Sequence, residues 1–247
     1  MATLAADRPP AEKHSRRTSE HQFFFGMSVL IALVFFIGFA KTYFLAGYFH
    51  AKPLPAPLVH VHAAVFTSWV LLLLTQSALA ASGNIKFHRK LGLVGLGLAP
   101  LLVILGVLVA HEMVGRVSPI FGAPRAALIY AVALSEITGF AGAILFAFRL
   151  RRWPAYHKRL IIVGTVSMTT AGFGRWPVHL LLHRPLPAMV CAFALLAMVA
   201  AFDLVSMRRI HPATLVGSLW VVGVQLLSLP LSQTPAWHAF ANWSRSI

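Results

Sequence analysis

The chain has 247 residues, of which 58% are hydrophobic and only 11% charged, with a formal net charge of +15. A soluble domain carries about a quarter charged residues, so that class is excluded, and a mean hydropathy of +0.77 points to an all-α, polytopic membrane bundle. The basic excess lies at the ends of apolar segments, which excludes nucleic acid as a partner and leaves the lipid bilayer.

Residues 1–22 are polar and basic and carry Pro9-Pro10. This composition predicts a short unstructured cytoplasmic tail. Residues 23–233 read as one transmembrane helical domain, and 234–247 as a short periplasmic C-terminal segment. Within the domain, apolar runs of about 20 residues, enough to cross a bilayer, predict seven spans near 23–45, 58–82, 91–113, 127–149, 159–180, 186–207 and 213–232. The first run is too long for a signal-peptide core and is expected to be retained. The fifth is the weakest, because Arg175 and Pro177 interrupt it.

Charge sets the orientation. With the N-terminus in the cytoplasm, the inner segments hold Arg8, Lys13, Arg16 and Arg17, then Lys86, Arg89 and Lys90. They continue with Arg149, Arg151, Arg152, Lys158 and Arg159, and end with Arg208 and Arg209. The outer ends keep Lys41, Lys52, Arg116, Arg125, Arg175, Arg184 and Arg245. Positively charged loops stay inside, so the expected topology is seven spans, N-in and C-out, in a bacterial inner membrane. A retinal Schiff base would need a lysine in the last span, and 213–232 has none.

Histidine is the residue that stands out. Twelve are present beside six acidic residues, and those from His50 onward lie in or next to apolar segments. Histidine is costly in a bilayer and is a common metal and haem ligand. Three inner helix starts repeat one device: Phe87-His88-Arg89-Lys90-Leu91, Tyr156-His157-Lys158-Arg159-Leu160 and Arg208-Arg209-Ile210-His211-Pro212. A helix start offers free N–H groups and partial positive charge, so Arg89, Arg159 and Arg209 are candidates to neutralise haem propionates or a quinone oxygen. The plainer explanation is that basic residues mark the cytoplasmic face and histidines accompany them.

The outer ends hold His50, His60, His62, His111, His179 and His183. His60 and His62, at i,i+2, diverge on a helix but share a side if that turn is extended. His179 and His183, at i,i+4, share a helix face. A metal site here would draw on His62, His111, His179 and His183. Bis-histidine haem instead needs ligands on two facing helices. The first-choice ligands are His62 and His88, with His60 and His157 next. Interfacial histidines bonded to water and headgroups are the bland alternative.

Glu136 in the fourth span and Asp203 in the sixth are ionisable residues at bilayer depth, candidates for function by default. Arg175 is placed to approach Glu136, and Arg159 or Arg209 to approach Asp203. Structural ion pairs are the competing explanation. Gln76 and Gln225 suit interhelical hydrogen bonds, and Gly92, Gly95 and Gly97 close helix packing. Cys191 is the one cysteine, which excludes an intramolecular disulfide and a CxxCH haem attachment. Protease, hydrolase and nucleotide-binding signatures are missing.

Taken together, Lys41-Thr42-Tyr43-Phe44, Pro53-Leu54, His60-Val61-His62-Ala63, Phe66-Thr67-Ser68-Trp69 and Gln76 resemble an uncharacterised family of multi-pass bacterial membrane proteins. The likeness continues through His88-Arg89-Lys90-Leu91-Gly92, His157-Lys158-Arg159-Leu160, Arg175-Trp176-Pro177, Phe202-Asp203-Leu204, His211-Pro212-Ala213-Thr214 and Thr234-Pro235-Ala236-Trp237. It implies the topology and the choice of His60, His62, His88, His157 and His211, and no reaction. A looser architectural similarity to transmembrane cytochromes b adds histidines on a bundle core. The resulting expectation is a membrane redox protein binding haem b and exchanging electrons with a quinone or a partner complex. The alternatives are a non-catalytic subunit or assembly factor of a larger complex, and a small proton-coupled transporter using Glu136.

Overall fold

Proline starts most of the helices. In a computed structural model describing residues 10–51 and 56–244, the elements are α1 (Pro10–Phe39), a π-helical turn (Ala40–Phe44), α2 (Pro57–Ala81), α3 (Ile85–Phe121) and α4 (Ala123–Arg149). They continue with α5 (Pro154–Ser167), α6 (Thr169–Phe173), α7 (Pro185–Met207), α8 (Pro212–Leu231) and α9 (Pro235–Ser244). Proline occupies the first or second helical position of α2, α4, α5, α7 and α8. There its missing N–H costs nothing and its fixed φ suits the helix. No strand occurs among the described residues.

Six helices are long and apolar enough to cross a membrane: Thr18–Phe44, Pro57–Ala81, Ile85–Ile120, Ala123–Arg149, Pro185–Met207 and Pro212–Leu231. Short reversals join the neighbours, among them Gly122 at φ 83° between α3 and α4. One end of the bundle collects the starts of α3, α5 and α8 with most of the basic residues. It is called here the basic end, and the other the far end.

Several expected boundaries move. Residues 10–22, expected to be an unstructured tail, belong to α1. The third helix runs from 85 rather than 91, because the Asn84 side chain accepts the Phe87 N–H at 3.3 Å and draws Lys86–Lys90 into the first turns. The fifth span is not one helix over 159–180. It breaks at Met168 and ends at Phe173, and 174–184 is a series of turns. The C-terminal segment forms α9, whose Trp237 indole donates to Ala127 O at 2.9 Å and whose Phe240 stacks on Tyr130. Arg8, Lys52, Pro53, Leu54 and Arg245 lie outside the described residues.

The bundle is apolar on both sides. Its interior holds Ile31, Trp69, Leu102, Phe140, Val163, Val199 and Val221. Its surface exposes Val205 (83%), Leu93 (67%) and Leu227 (67%). Such a surface fits lipid rather than water. α4 packs against α3, α5 and α8 and is the most enclosed of the long helices. Small residues permit close approach: a Cβ on Gly38 of α1 would strike the Gly172 carbonyl of α6, and one on Gly142 would enter the Trp220 indole. Of the glycine run in α3, Gly95 meets Leu72 and Phe148, whereas Gly97 faces open space.

Candidate functional site

At the basic end, Arg159 and Asp203 are completely buried. Arg159 Nε and Nη2 donate to Asp203 Oδ1 at 3.0 and 2.6 Å. Its Nη1 donates to Glu20 Oε1 and Ala155 O, both at 3.1 Å. Asp203 Oδ2 also accepts the His211 N–H at 3.1 Å and the Thr214 hydroxyl at 2.5 Å. Lys158 reaches Glu20 at 2.7 Å, and both cations lie over the Phe24 ring. The network therefore ties α1, α5, α7 and the start of α8 into one knot. It satisfies the charges it buries, as such groups require.

That knot corrects part of the expected anion site. Arg159 is committed to Asp203 and Glu20, so it does not offer its guanidinium to a propionate or quinone. The His211 Nδ1 accepts the Ala213 N–H at 3.1 Å and caps α8, and its ring packs edge-on against Tyr156. Arg209 is exposed in the turn before it. Arg159 is thus withdrawn from the anion site expected of the three helix starts.

Two of them do bring histidines together. His88 and His157 are each the fourth residue of their helices, α3 and α5. Their ring centroids lie 6.5 Å apart with planes at 88°. His88 Nδ1 bonds to Gln76 O at 3.2 Å, and His157 Nδ1 to Ala147 O at 2.9 Å. A carbonyl only accepts, so each Nδ1 carries a proton, and Nε2 is the nitrogen of each ring left for another partner. Gln76 Nε2 donates back to His88 O at 3.1 Å and locks the α2–α3 pairing. Phe148 flanks His157 at 6.3 Å, and Arg151 acts on it electrostatically.

The far-end histidines scatter. Val59–His62 is helical, so His60 and His62 point apart: His60 is exposed and lies 6.0 Å from Tyr43, while His62 turns inward beside Phe66 and Gly106. His111 shares a hydrogen bond with Ser244 of α9 at 2.5 Å. His179 and His183 sit in turns rather than on a helix, His183 at φ 58°, and the expected i,i+4 face does not form. Among the described residues no three His, Cys, Asp or Glu side chains are placed to hold a metal ion. The proposed metal set of His62, His111, His179 and His183 is therefore not assembled. His62 and His88, the first-choice haem ligands, lie towards opposite ends of the bundle.

Between the two ends lies a polar belt around the broken fifth span. Glu136 sits midway along α4 and is buried. The Ala171 N–H of α6 is directed at its carboxyl, and Arg175 acts on it electrostatically. Arg175 itself donates to Ala171 O at 2.7 Å and lies 4.6 Å over the Phe39 ring. Ser167 donates to Glu136 O at 2.9 Å, Gln225 Nε2 donates to Ser167 O at 2.7 Å, and the Trp69 indole donates to Thr165 at 3.3 Å. His62 Nδ1, Thr170 Oγ1 and Gln225 Oε1 are buried without a hydrogen-bond partner. Arg175 beside Glu136 and Gln225 between helices are legible in the sequence. Ser167, Thr170 and Glu20 carry no local signal, because long-range packing gives them their roles.

No protein-family model, curated protein or solved structure matches this chain.

Proposed function

We propose an integral protein of the bacterial inner membrane that binds haem b through His88 and His157 and passes electrons to or from a quinone or a partner complex. The observation that carries this reading is the pairing of those two rings across helices, each with its Nδ1 proton fixed on a backbone carbonyl. The two rings, 6.5 Å apart on different helices, meet the requirement that bis-histidine ligands come from two facing helices. A hydrogen-bonded Nδ1–H is also the usual companion of a ligating Nε2, since it sets the tautomer and raises the basicity of the ligand.

The residues fit the group in donor chemistry. When bound, haem b would supply a one-electron couple at this end of the membrane. His88 and His157 would hold it, and Phe148 would keep water from the His157 ring. Arg89 and Arg151, next to the pair in sequence and charge, replace Arg159 as partners for propionates. The fold supports a topology of seven crossings with N-in and C-out if α5 and α6 count as one. Residues 154–173 span about 30 Å at the helical rise, and the basic end then faces the cytoplasm.

The test is an absorption spectrum of protein purified from haem-replete cells, oxidised and then reduced with dithionite. A Soret band and a sharp α-band are expected. They should vanish in His88→Ala and His157→Ala and persist in His62→Ala. A colourless wild-type preparation, or full haem content in the double alanine variant, overturns the assignment.

A further inference from the structure

We propose that Glu136 is a proton-binding site at mid-membrane, reached from the far end of the bundle, on the side of Arg175 and His62. It stands apart from the haem reading, which concerns the other end, and survives or fails without it.

Geometry isolates the carboxyl. It lies midway along a 27-residue helix, beyond direct reach of water at either end. Ser167 of α5 bonds the Glu136 backbone carbonyl and is itself bonded by Gln225 of α8, α6 brings the Ala171 N–H to the carboxyl, and α3 brings Gly106 against the adjacent Ile137. None of these carries charge. The charged group acting on Glu136 is Arg175, which in turn acts on His62 of α2 and on His183 beyond α6. Arg125 also acts on His183 and donates to its carbonyl.

Arg175 does not close an ion pair with Glu136 within 4 Å among the described residues, in contrast to the tight Arg159–Asp203 contact. Its guanidinium is held instead on Ala171 O and the Phe39 ring. A carboxylate buried without a paired cation is neutralised by taking up a proton rather than carried as a bare charge. The surroundings suit both states. The Ala171 N–H supports the anion, and burial away from a paired cation favours the neutral acid. The reaction is balanced simply: the carboxylate gains one proton from the far-end aqueous phase and returns it.

Glu136 touches both sides of the break at Met168, through its carboxyl on the α6 side and through its backbone carbonyl on the α5 side. Ala171 belongs to α6 and Ser167 ends α5. Protonation removes the charge that the Ala171 N–H and Arg175 face, which makes the break the element that responds. Discontinuous helices at the bilayer midplane serve this purpose in transporters.

Infrared difference spectroscopy of the purified protein in nanodiscs tests the site. A C=O stretch of a protonated carboxyl, shifted by deuterium exchange, is expected in wild type near neutral pH. It should be lost completely in Glu136→Gln and retained in Glu112→Gln. Selective 13C-glutamate labelling of the unmodified protein must shift the same band, which excludes Asp203 and needs no variant to fold. Absence of a glutamate-derived protonated-carboxyl band from wild type, or its persistence in folded Glu136→Gln, overturns the proposal.

Discussion

Asp203 and Arg159 are buried charges whose neighbours leave no position open, so their role follows from bond geometry alone. Removing one partner of such a pair typically costs about 3–5 kcal/mol, because the other charge is left uncompensated. His211 joins this knot through its backbone N–H, while its ring caps α8. The cap requires a neutral imidazole with Nδ1 as acceptor. Burial, followed by the charge of Arg159, holds that imidazole below its ordinary range. The unfolded chain takes up the proton near pH 6.5, and the folded chain resists it. The contribution to stability is therefore complete above about pH 6.5 and declines as pH falls from there through the lower folded value. Thermal unfolding in detergent between about pH 7.5 and 5.5 should show wild type losing more stability than His211→Asn, which keeps a capping acceptor without titrating. Parallel losses in the two proteins would assign the pH dependence to other groups.

The helices follow from sequence because hydropathy and proline placement are local, whereas the break in the fifth span does not. Arg175 and Pro177 mark that span as irregular, yet the interruption falls at Met168, where no proline or glycine stands. Its cause is tertiary: Gln225 of α8 occupies the Ser167 carbonyl, and Ser167 reaches across to the Glu136 carbonyl. Gly139 makes room for that contact, since a Cβ there would run into Ser167 Oγ. Gly139→Ala should therefore destabilise the protein by about 1–3 kcal/mol, the usual cost of overpacking. The double variant Gly139→Ala/Ser167→Ala removes the obstructing oxygen. It should be less destabilised than the sum of the single changes, because residues in contact are not additive. Additive losses, measured as melting temperatures of the four proteins, would mean that Ser167 does not set the spacing of α4 and α5.

At the scale of the molecule, the all-helical membrane class was legible because it rests on composition, and the scattering of the histidines was not. His179 and His183 were paired by helical spacing that the turns after Phe173 abolish, and His88 finds His157 only once α4 has packed between α3 and α5. The facing of the bundle and the crossing by α5 with α6 are both read directly by labelling. The basic end gathers Lys86, Arg89, Lys90, Arg151, Arg152 and Arg209, and the bias of such residues towards the cytoplasm predicts which way the chain faces. In a Cys191→Ser background, single cysteines at Ser82 and Arg152 of the basic end should react with a membrane-impermeant maleimide only from the cytoplasmic side. Tyr48→Cys, His179→Cys and Gln233→Cys, at the far end, should react only from the periplasmic side. Reversal of every site would leave the fold intact and turn the molecule over, placing the His88–His157 pair at the periplasmic face. Labelling of Arg152→Cys and His179→Cys from the same side would contradict a crossing by α5 with α6 and with it the path of the chain from Arg159 at the basic end to Arg175 at the far end.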